Sequence, residues 1–164
     1  MRIYNLRCEL IVNRPISEVF PFFENARNLA KVTPDWLQFT VITPEPLIMR
    51  PGLEIEYKIR LFGIPMGWKS VITEYQPPVH FVDEQVQGPY KYWHHSHEFR
   101  AEGNSTRVID SVDYALSFDP LSRIAQALMV RHQLSAIFNY RQTALSRIFE
   151  GQTVSVLEPV IAAK

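Results

Sequence analysis

The sequence predicts an α+β protein: a long antiparallel β-sheet followed by one long helix. Three observations carry this. Between Trp36 and Phe118 apolar and polar residues alternate in run after run, the period of a strand with one buried face. The runs are separated by short Gly, Pro and Asn turns, which suits antiparallel neighbours. From residue 121 the apolar spacing changes to three and four, the period of a helix.

The elements follow in order. Tyr4, Leu6, Cys8, Leu10 and Val12 share one face of a first strand, with Arg7, Glu9 and Ile11 on the other. Arg14-Pro15-Ile16-Ser17-Glu18 turns into a short helix carrying Val19, Phe20, Phe22 and Phe23, in which Pro21 is awkward beyond the first turn. A second short helix over Asn25 to Val32 ends at Thr33-Pro34. Strands follow over Phe39 to Thr43, Leu53 to Phe62, Gly67 to Tyr75, Phe81 to Gln87, Tyr90 to Arg100 and Thr106 to Phe118. Gly63-Ile64-Pro65, Pro77-Pro78, Gly88-Pro89 and Glu102-Gly103-Asn104 mark the turns. Seven strands result.

Asp119-Pro120 supplies an N-cap and a first-turn proline for the last helix. Leu121, Ile124, Ala125 and Leu128 begin its stripe; Leu134, Ile137, Phe138, Arg141, Leu145 and Ile148 continue it. Arg131-His132 is a candidate break, and Gly151 a candidate C-cap. Residues 1–150 make one domain. Residues 151–164 lose the helical period, contain Pro159, and read as a peripheral tail whose removal should leave the melting temperature nearly unchanged. Its apolar residues suit pairing with a sheet edge or with a second chain, so a homodimer is one arrangement it allows.

Composition excludes several classes. The chain has 164 residues, of which 46% are apolar, with 17 basic and 17 acidic side chains. No net charge marks a nucleic-acid or anionic-membrane partner. One cysteine, Cys8, rules out an intrachain disulfide and a Cys-rich zinc site, and reads as a small core residue. No run is long and apolar enough for a membrane span, and the N-terminus has no apolar signal segment. A cytoplasmic protein is the expectation. No phosphate loop or nucleophile elbow is present.

The candidate site lies between Gln85 and Phe99, which holds three of the five histidines. Trp93, His95, His97 and Phe99 share one face, and His94 faces away. Aromatic ends with a polar middle suit the wall of a cavity. Hairpins at Gly88-Pro89 and Gly103-Asn104 would each bring an aspartate, Asp83 and Asp110, opposite His95, with His97 one step along. A sheet of this size needs cover on its apolar face, and the last helix is the only element long enough. The sheet then curls around that helix and leaves a cavity between them, the helix-grip arrangement.

Here the chain resembles the SRPBCC superfamily (START, Bet v 1 and polyketide cyclase/dehydrase proteins), in particular its bacterial ligand-binding branch. Phe81-Val82-Asp83-Glu84-Gln85, Gly88-Pro89-Tyr90 and the Trp93-x-His95-x-His97-x-Phe99 row carry the resemblance, with Asp110-x-Val112-x-Tyr114 and Ile137-Phe138-x-Tyr140-Arg141. It covers about residues 1–150 and is specific for the fold rather than for an activity.

Three readings of the polar row stand side by side. It is a self-satisfied buried network. Or it orients the polar end of an apolar ligand, with general acid–base catalysis by His95 and Asp110 as one form of this. Or His-x-His plus an aspartate binds zinc or iron, against which the resemblance brings no metal and no cofactor. The ligand-binding set is Tyr57, Trp68, Asp83, Gln85, Trp93, His95, His97, Phe99, Asp110 and Arg141, Arg141 either snorkelling or pairing with Asp83 or Asp110. The function expected is binding of a small, mostly hydrophobic, lipid-like ligand without a metal. The alternatives are a cyclase/dehydrase-type enzyme and a protein-interaction module. A closed pocket with a fully paired row favours binding; a row with an unpaired imidazole nitrogen favours chemistry.

Overall fold

In the computed structural model, which describes residues 1–116 and 123–164, eight antiparallel strands form one curved sheet. They are β1 (Tyr4–Val12), β2 (Thr40–Val41), β3 (Glu54–Leu61), β4 (Ile64–Gln76), β5 (His80–Gln87), β6 (Tyr92–Glu102), β7 (Ser105–Ala115) and β8 (Thr153–Ala163). The order across the sheet is β2-β3-β4-β5-β6-β7-β1-β8. Helix α1 (Ile16–Glu24) and two 3₁₀ segments (Ala26–Val32 and Asp35–Leu37) lie between β1 and β2, and helix α2 (Arg123–Ile148) lies between β7 and β8. The expected capping pair Asp119-Pro120, and the side chains of Leu121, Ile124 and Ala125, lie outside the described residues.

Alternation places the faces as the sequence predicts. Along β1, Leu6, Cys8, Leu10 and Val12 are buried. Along β6, Trp93, His95, His97 and Phe99 are buried, while His94 and Ser96 on the other face are half-buried. Glu54, Glu56, Lys58 and Arg60 form the exposed face of β3, where Lys69 of β4 pairs with Glu54 and Glu56 at 3.2 and 2.8 Å. The tight turn between β3 and β4 is Phe62-Gly63, both with positive φ, rather than Gly63-Ile64-Pro65. Two central residues in that region match the right-handed twist of the strands they join.

Helix α2 is continuous through Arg131-His132, so the charged pair is no break. Leu134, Phe138 and Leu145 are buried at helical spacing against the sheet. Leu128, placed in the stripe from sequence, is exposed. The C-terminus is a Schellman motif. Gly151 N–H donates to Ser146 C=O (2.6 Å), and Glu150 N–H donates to Arg147 C=O (3.1 Å). The left-handed C′ residue is thus Glu150, with φ +55°, and Gly151 follows it at φ +73°. Pro21 sits in the second turn of α1 and leaves the Ser17 carbonyl without its helical donor; both residues are exposed, so water serves instead.

The tail corrects the sequence reading most. Residues 153–163 are not peripheral: they add the eighth strand, antiparallel to β1, from Tyr4↔Ala163 to Val12↔Thr153. The tail pairs with a sheet edge of its own chain. Ile161 is buried against Leu6, Cys8, Val130 and Leu134. Gln142 of α2 donates to Leu157 C=O and accepts from the Ser155 hydroxyl, tying the strand to the helix. The misreading has a simple cause: Val154, Val156 and Val160 remain exposed, as suits an outermost strand.

The stability expectation therefore reverses. Ile161→Ala removes a buried side chain and should cost about 2–4 kcal/mol, lowering the melting temperature by roughly 5–10 °C. Deleting residues 152–164 should lower it further. Calorimetry of the two variants checks this; an unchanged melting temperature in the deletion would show that the strand adds nothing to the core.

Candidate functional site

The sheet, α1, the 3₁₀ segments and α2 line a partly open cavity of about 180 Å³. Its walls are mostly apolar: Phe22, Leu29, Tyr57, Trp68, Trp93 and Phe138 among others. The indoles of Trp68 and Trp93 meet edge to face at 5.1 Å, and Tyr90 lies 4.7 Å from Trp93. These rings hold one another and leave one end of the cavity rigid. An engineered apolar cavity of about 150 Å³ admits benzene, so this space suits a single ring or a short chain.

One wall is polar. Asp83 (β5), His95 and His97 (β6) and Arg141 (α2) face the cavity, with Asp110 (β7) behind them. Strand register brings them together. Asp83 pairs with His95 across β5 and β6, as the Gly88-Pro89 hairpin predicts. Asp110 pairs with His97, one step from the His95 pairing read from the Gly103 turn. The β6–β7 turn is tight, Glu102 opposite Ser105, and that fixes the register. The result is a diagonal instead of a row, and each carboxylate reaches both rings.

Asp110 Oδ1 lies 3.1 Å from His95 Nε2 and 2.8 Å from His97 Nδ1. Asp83 Oδ2 lies 3.2 Å from His97 Nε2 and 3.5 Å from His95 Nδ1. The imidazole centroids are 3.8 Å apart. Ser70 donates to Asp83 Oδ1 at 3.4 Å and accepts from the Trp68 indole N–H at 2.9 Å. Arg141, 8% exposed, places Nη1 3.6 Å from Asp110 Oδ2, and its guanidinium lies 4.8 Å from the Phe138 ring centroid. Two donors are left over. Arg141 Nε has no partner, and His97 Nδ1 is close to Asp110 but poorly aligned for a hydrogen bond.

Electrostatics separates the two histidines. Burial and the neighbouring His97 push His95 down to about 4. Burial would also lower His97, but its hydrogen bonds with Asp110 and Asp83 outweigh that and raise it. Burial favours the neutral acid at Asp110, yet the His95 and His97 hydrogen bonds and the Arg141 charge hold it well below the usual carboxylate range. Asp83 is lowered against the same burial cost by His97, His95 and Arg141. The opposite directions favour a proton on His97 over one on His95, and a proton there together with Arg141 would offset the two carboxylates.

Three residues of the predicted set stand elsewhere than on the cavity wall. Gln85 clasps the turn, donating to Tyr90 C=O (2.7 Å) and accepting from Tyr90 N–H (3.2 Å). A Cβ at Gly88 would come within 2.4 Å of the Gln85 amide oxygen, so this clasp requires glycine there. Phe99 packs into an aromatic cluster with Phe20 and Phe23, at 5.2 and 5.1 Å, beyond the cavity. Asp110 is screened from the cavity by the histidines. Arg141 takes the cavity position with Asp110 as its pair, and does not snorkel. Sequence reasoning missed Ser70, Ile55 and Ile72, which strand parity with Tyr57 and Trp68 would have found, and Met49, which comes from a loop without any periodic signal.

Fold and site together define a helix-grip protein with a mostly apolar pocket that has one polar wall. The profile of the family described as polyketide cyclase / dehydrase and lipid transport matches residues 12–138. The chain belongs to that family. Protein CV1439 from Chromobacterium violaceum has a similar structure, with a TM-score of 0.66 and 12% identity over 89% of this chain and 96% of that one. Zhui aromatase/cyclase from Streptomyces sp. R1128 gives 0.60 and 10% over 89% and 96%. Ara h 8.0201 gives 0.54 and 15% over 88% and 99%. At such identities the likeness shows the fold alone. No curated protein matches the chain significantly. Among the described residues, no helix is long and apolar enough to cross a membrane.

The pKa directions set a pH profile. A raised folded value at His97 adds stability below its folded pKa, growing as pH falls toward the unfolded value of about 6.5. A lowered folded value at His95 acts oppositely. Between pH 6.5 and about 4 the unfolded chain takes up a proton that the folded protein refuses, so stability falls with pH. The loss is on the order of 3 kcal/mol across that window. Stability should therefore peak near pH 6.5, and His95→Gln should flatten the acid limb. Urea unfolding from pH 4.5 to 8 in chelator-treated protein checks this. A wild-type curve flat below pH 6.5 would contradict a neutral His95.

Proposed function

We propose that the protein binds a small, mostly apolar molecule bearing one anionic or carbonyl oxygen, held between the sheet and α2. The observation that carries this reading is Arg141. It is a buried guanidinium on an otherwise aromatic wall, with one 3.6 Å ion contact and Nε unpartnered. A buried charged donor left unpaired costs free energy, and a ligand oxygen at that point relieves the cost. The apolar walls supply most of the affinity, at about 25 cal/mol for each Å² removed from water. Family membership and the fold support binding in this cavity.

The orienting role, read from sequence as that of the whole polar row, falls in this reading to Arg141. Both His95 nitrogens already face carboxylates, at 3.1 and 3.5 Å. A second reading, acid–base chemistry of the cyclase/dehydrase kind, draws on the cluster not being fully paired. Its base would be Asp83, which is on the cavity wall beside His97, rather than Asp110, which is not.

Toluene and benzoate form a matched probe pair of suitable size. Arg141→Met should weaken benzoate roughly 10- to 100-fold, the value of a charge-assisted hydrogen bond, and change toluene less than about threefold. Trp93→Ala should weaken both, since it removes a wall. Calorimetric or NMR titration of the two probes decides. Equal losses for both probes in Arg141→Met would refute an orienting arginine, and no binding of either by the wild type would refute the cavity reading.

A further inference from the structure

We infer that Asp83, His95 and His97 form a binding site for one divalent transition-metal ion of the zinc class, with Asp110 as its supporting carboxylate and an open coordination position on the cavity. This goes beyond ligand binding and does not depend on it. A histidine pair alternating on a strand is by itself a weak metal signal, and the sequence reading is metal-free. Three features of the geometry change that.

The first is donor spacing. Asp83 Oδ2 faces both His97 Nε2 and His95 Nδ1. The two edges from Asp83 measure 3.2 and 3.5 Å, and all three donors lie within 4.8 Å of one another. A tetrahedral zinc ion with bonds of about 2.0–2.1 Å needs ligand edges of about 3.3 Å. The two edges from Asp83 are close to that value.

The second is the far side of each ring. The other nitrogens, His95 Nε2 and His97 Nδ1, both meet Asp110 Oδ1, at 3.1 and 2.8 Å. A metal-ligating histidine donates its remaining N–H to a carboxylate or carbonyl, which fixes its tautomer and aims the free lone pair. Asp110 Oδ1 does this for His95, and it stands 2.8 Å from His97 Nδ1, where a small turn of the ring would align the second bond. Asp110 is 1% exposed and has Arg141 beside its second oxygen, so it cannot swing away cheaply.

The third is chemistry and access. Two imidazoles and one carboxylate with open positions suit zinc, cobalt, iron(II) or nickel, and no thiolate is present to select a softer ion. With both imidazoles neutral, Asp83, Asp110 and Arg141 sum to one negative charge. A divalent cation turns the centre positive, so its open position would prefer an anionic oxygen. Asp83, His95 and His97 all line the cavity, and that position therefore faces it.

The test begins with chelator-treated full-length protein and uses zinc and cobalt alone. Equilibrium dialysis should give one tightly held ion per chain, and the cobalt form should show the visible absorption of a four-coordinate ion. X-ray absorption of the zinc-loaded wild type should show two imidazole ligands, a readout that needs no variant. His97→Ala and Asp83→Asn should each weaken binding at least about 100-fold, and Asp110→Asn about 10- to 100-fold. His80→Ala, His94→Ala and His132→Ala should bind as the wild type does. Circular dichroism confirms that each variant is folded. The inference is overturned if zinc and cobalt fail to bind stoichiometrically, if absorption shows fewer than two imidazoles, or if binding is lost with His80, His94 or His132. Toluene binding by the metal-free protein is scored separately, so failure of this site leaves the cavity reading intact.

Discussion

Asp110 is the constraint on which the site depends. It lies on the inward face of β7, 1% exposed, and the register of a three-strand ladder decides what surrounds it. A buried carboxylate is tolerable only when charge and hydrogen bonds compensate it. Here both histidines of β6 and Arg141 of α2 do so. The same contacts fix the ring planes of His95 and His97, and these in turn present their opposite nitrogens to Asp83 on β5. A single buried charge thus couples three strands and the long helix, and turns a stretch of sheet interior into a chemical surface.

The aromatic residues divide around that cluster. Trp68, Tyr90 and Trp93 lie toward one end and form part of the cavity wall, while at the other end Phe20 and Phe23 of α1 pack with Phe81 and Phe99 of the sheet. Phe81 stacks on His97 with ring centroids 4.2 Å apart, which excludes water from one side of the cluster. Low local polarity strengthens every ion contact within it and raises the cost of any that is lost. The same division explains why Trp93 and Phe99, six residues apart on one face, do different work. One borders empty space, and the other is surrounded by rings.

The C-terminal strand shows how an edge can be closed by the chain itself. β1 would otherwise leave its outer hydrogen-bonding groups unpaired, an invitation to association. β8 covers them and buries Ile161 beneath α2, and the new edge is interrupted by register shifts and carries Pro159. The Schellman turn at Glu150-Gly151 makes this possible. It reverses the chain within a few residues of the helix end, so that β8 returns antiparallel beside β1.

By itself the sequence determined the element types, the faces and most of the cavity wall. Period-2 alternation in β1, β3 and β6 and the three-and-four spacing of α2 are local properties, and local sterics enforce them whatever the fold does. They placed His95 and His97 inward and made Asp83 and Asp110 their neighbours. Only the tertiary structure decided the rest. Whether Asp110 faced His95 or His97 hung on the length of one turn, because a shift of two residues keeps the face and changes the partner. Whether Phe99 bordered the cavity depended on where α1 packs, and whether Arg141 snorkelled depended on what lay opposite it. Residues 153–163 carry a strand-like composition, but strand pairing is a long-range choice, and nothing within the segment names β1 as its partner. The grouping of three donor atoms within 4.8 Å is likewise a property of the space between strands, which no spacing along the chain records.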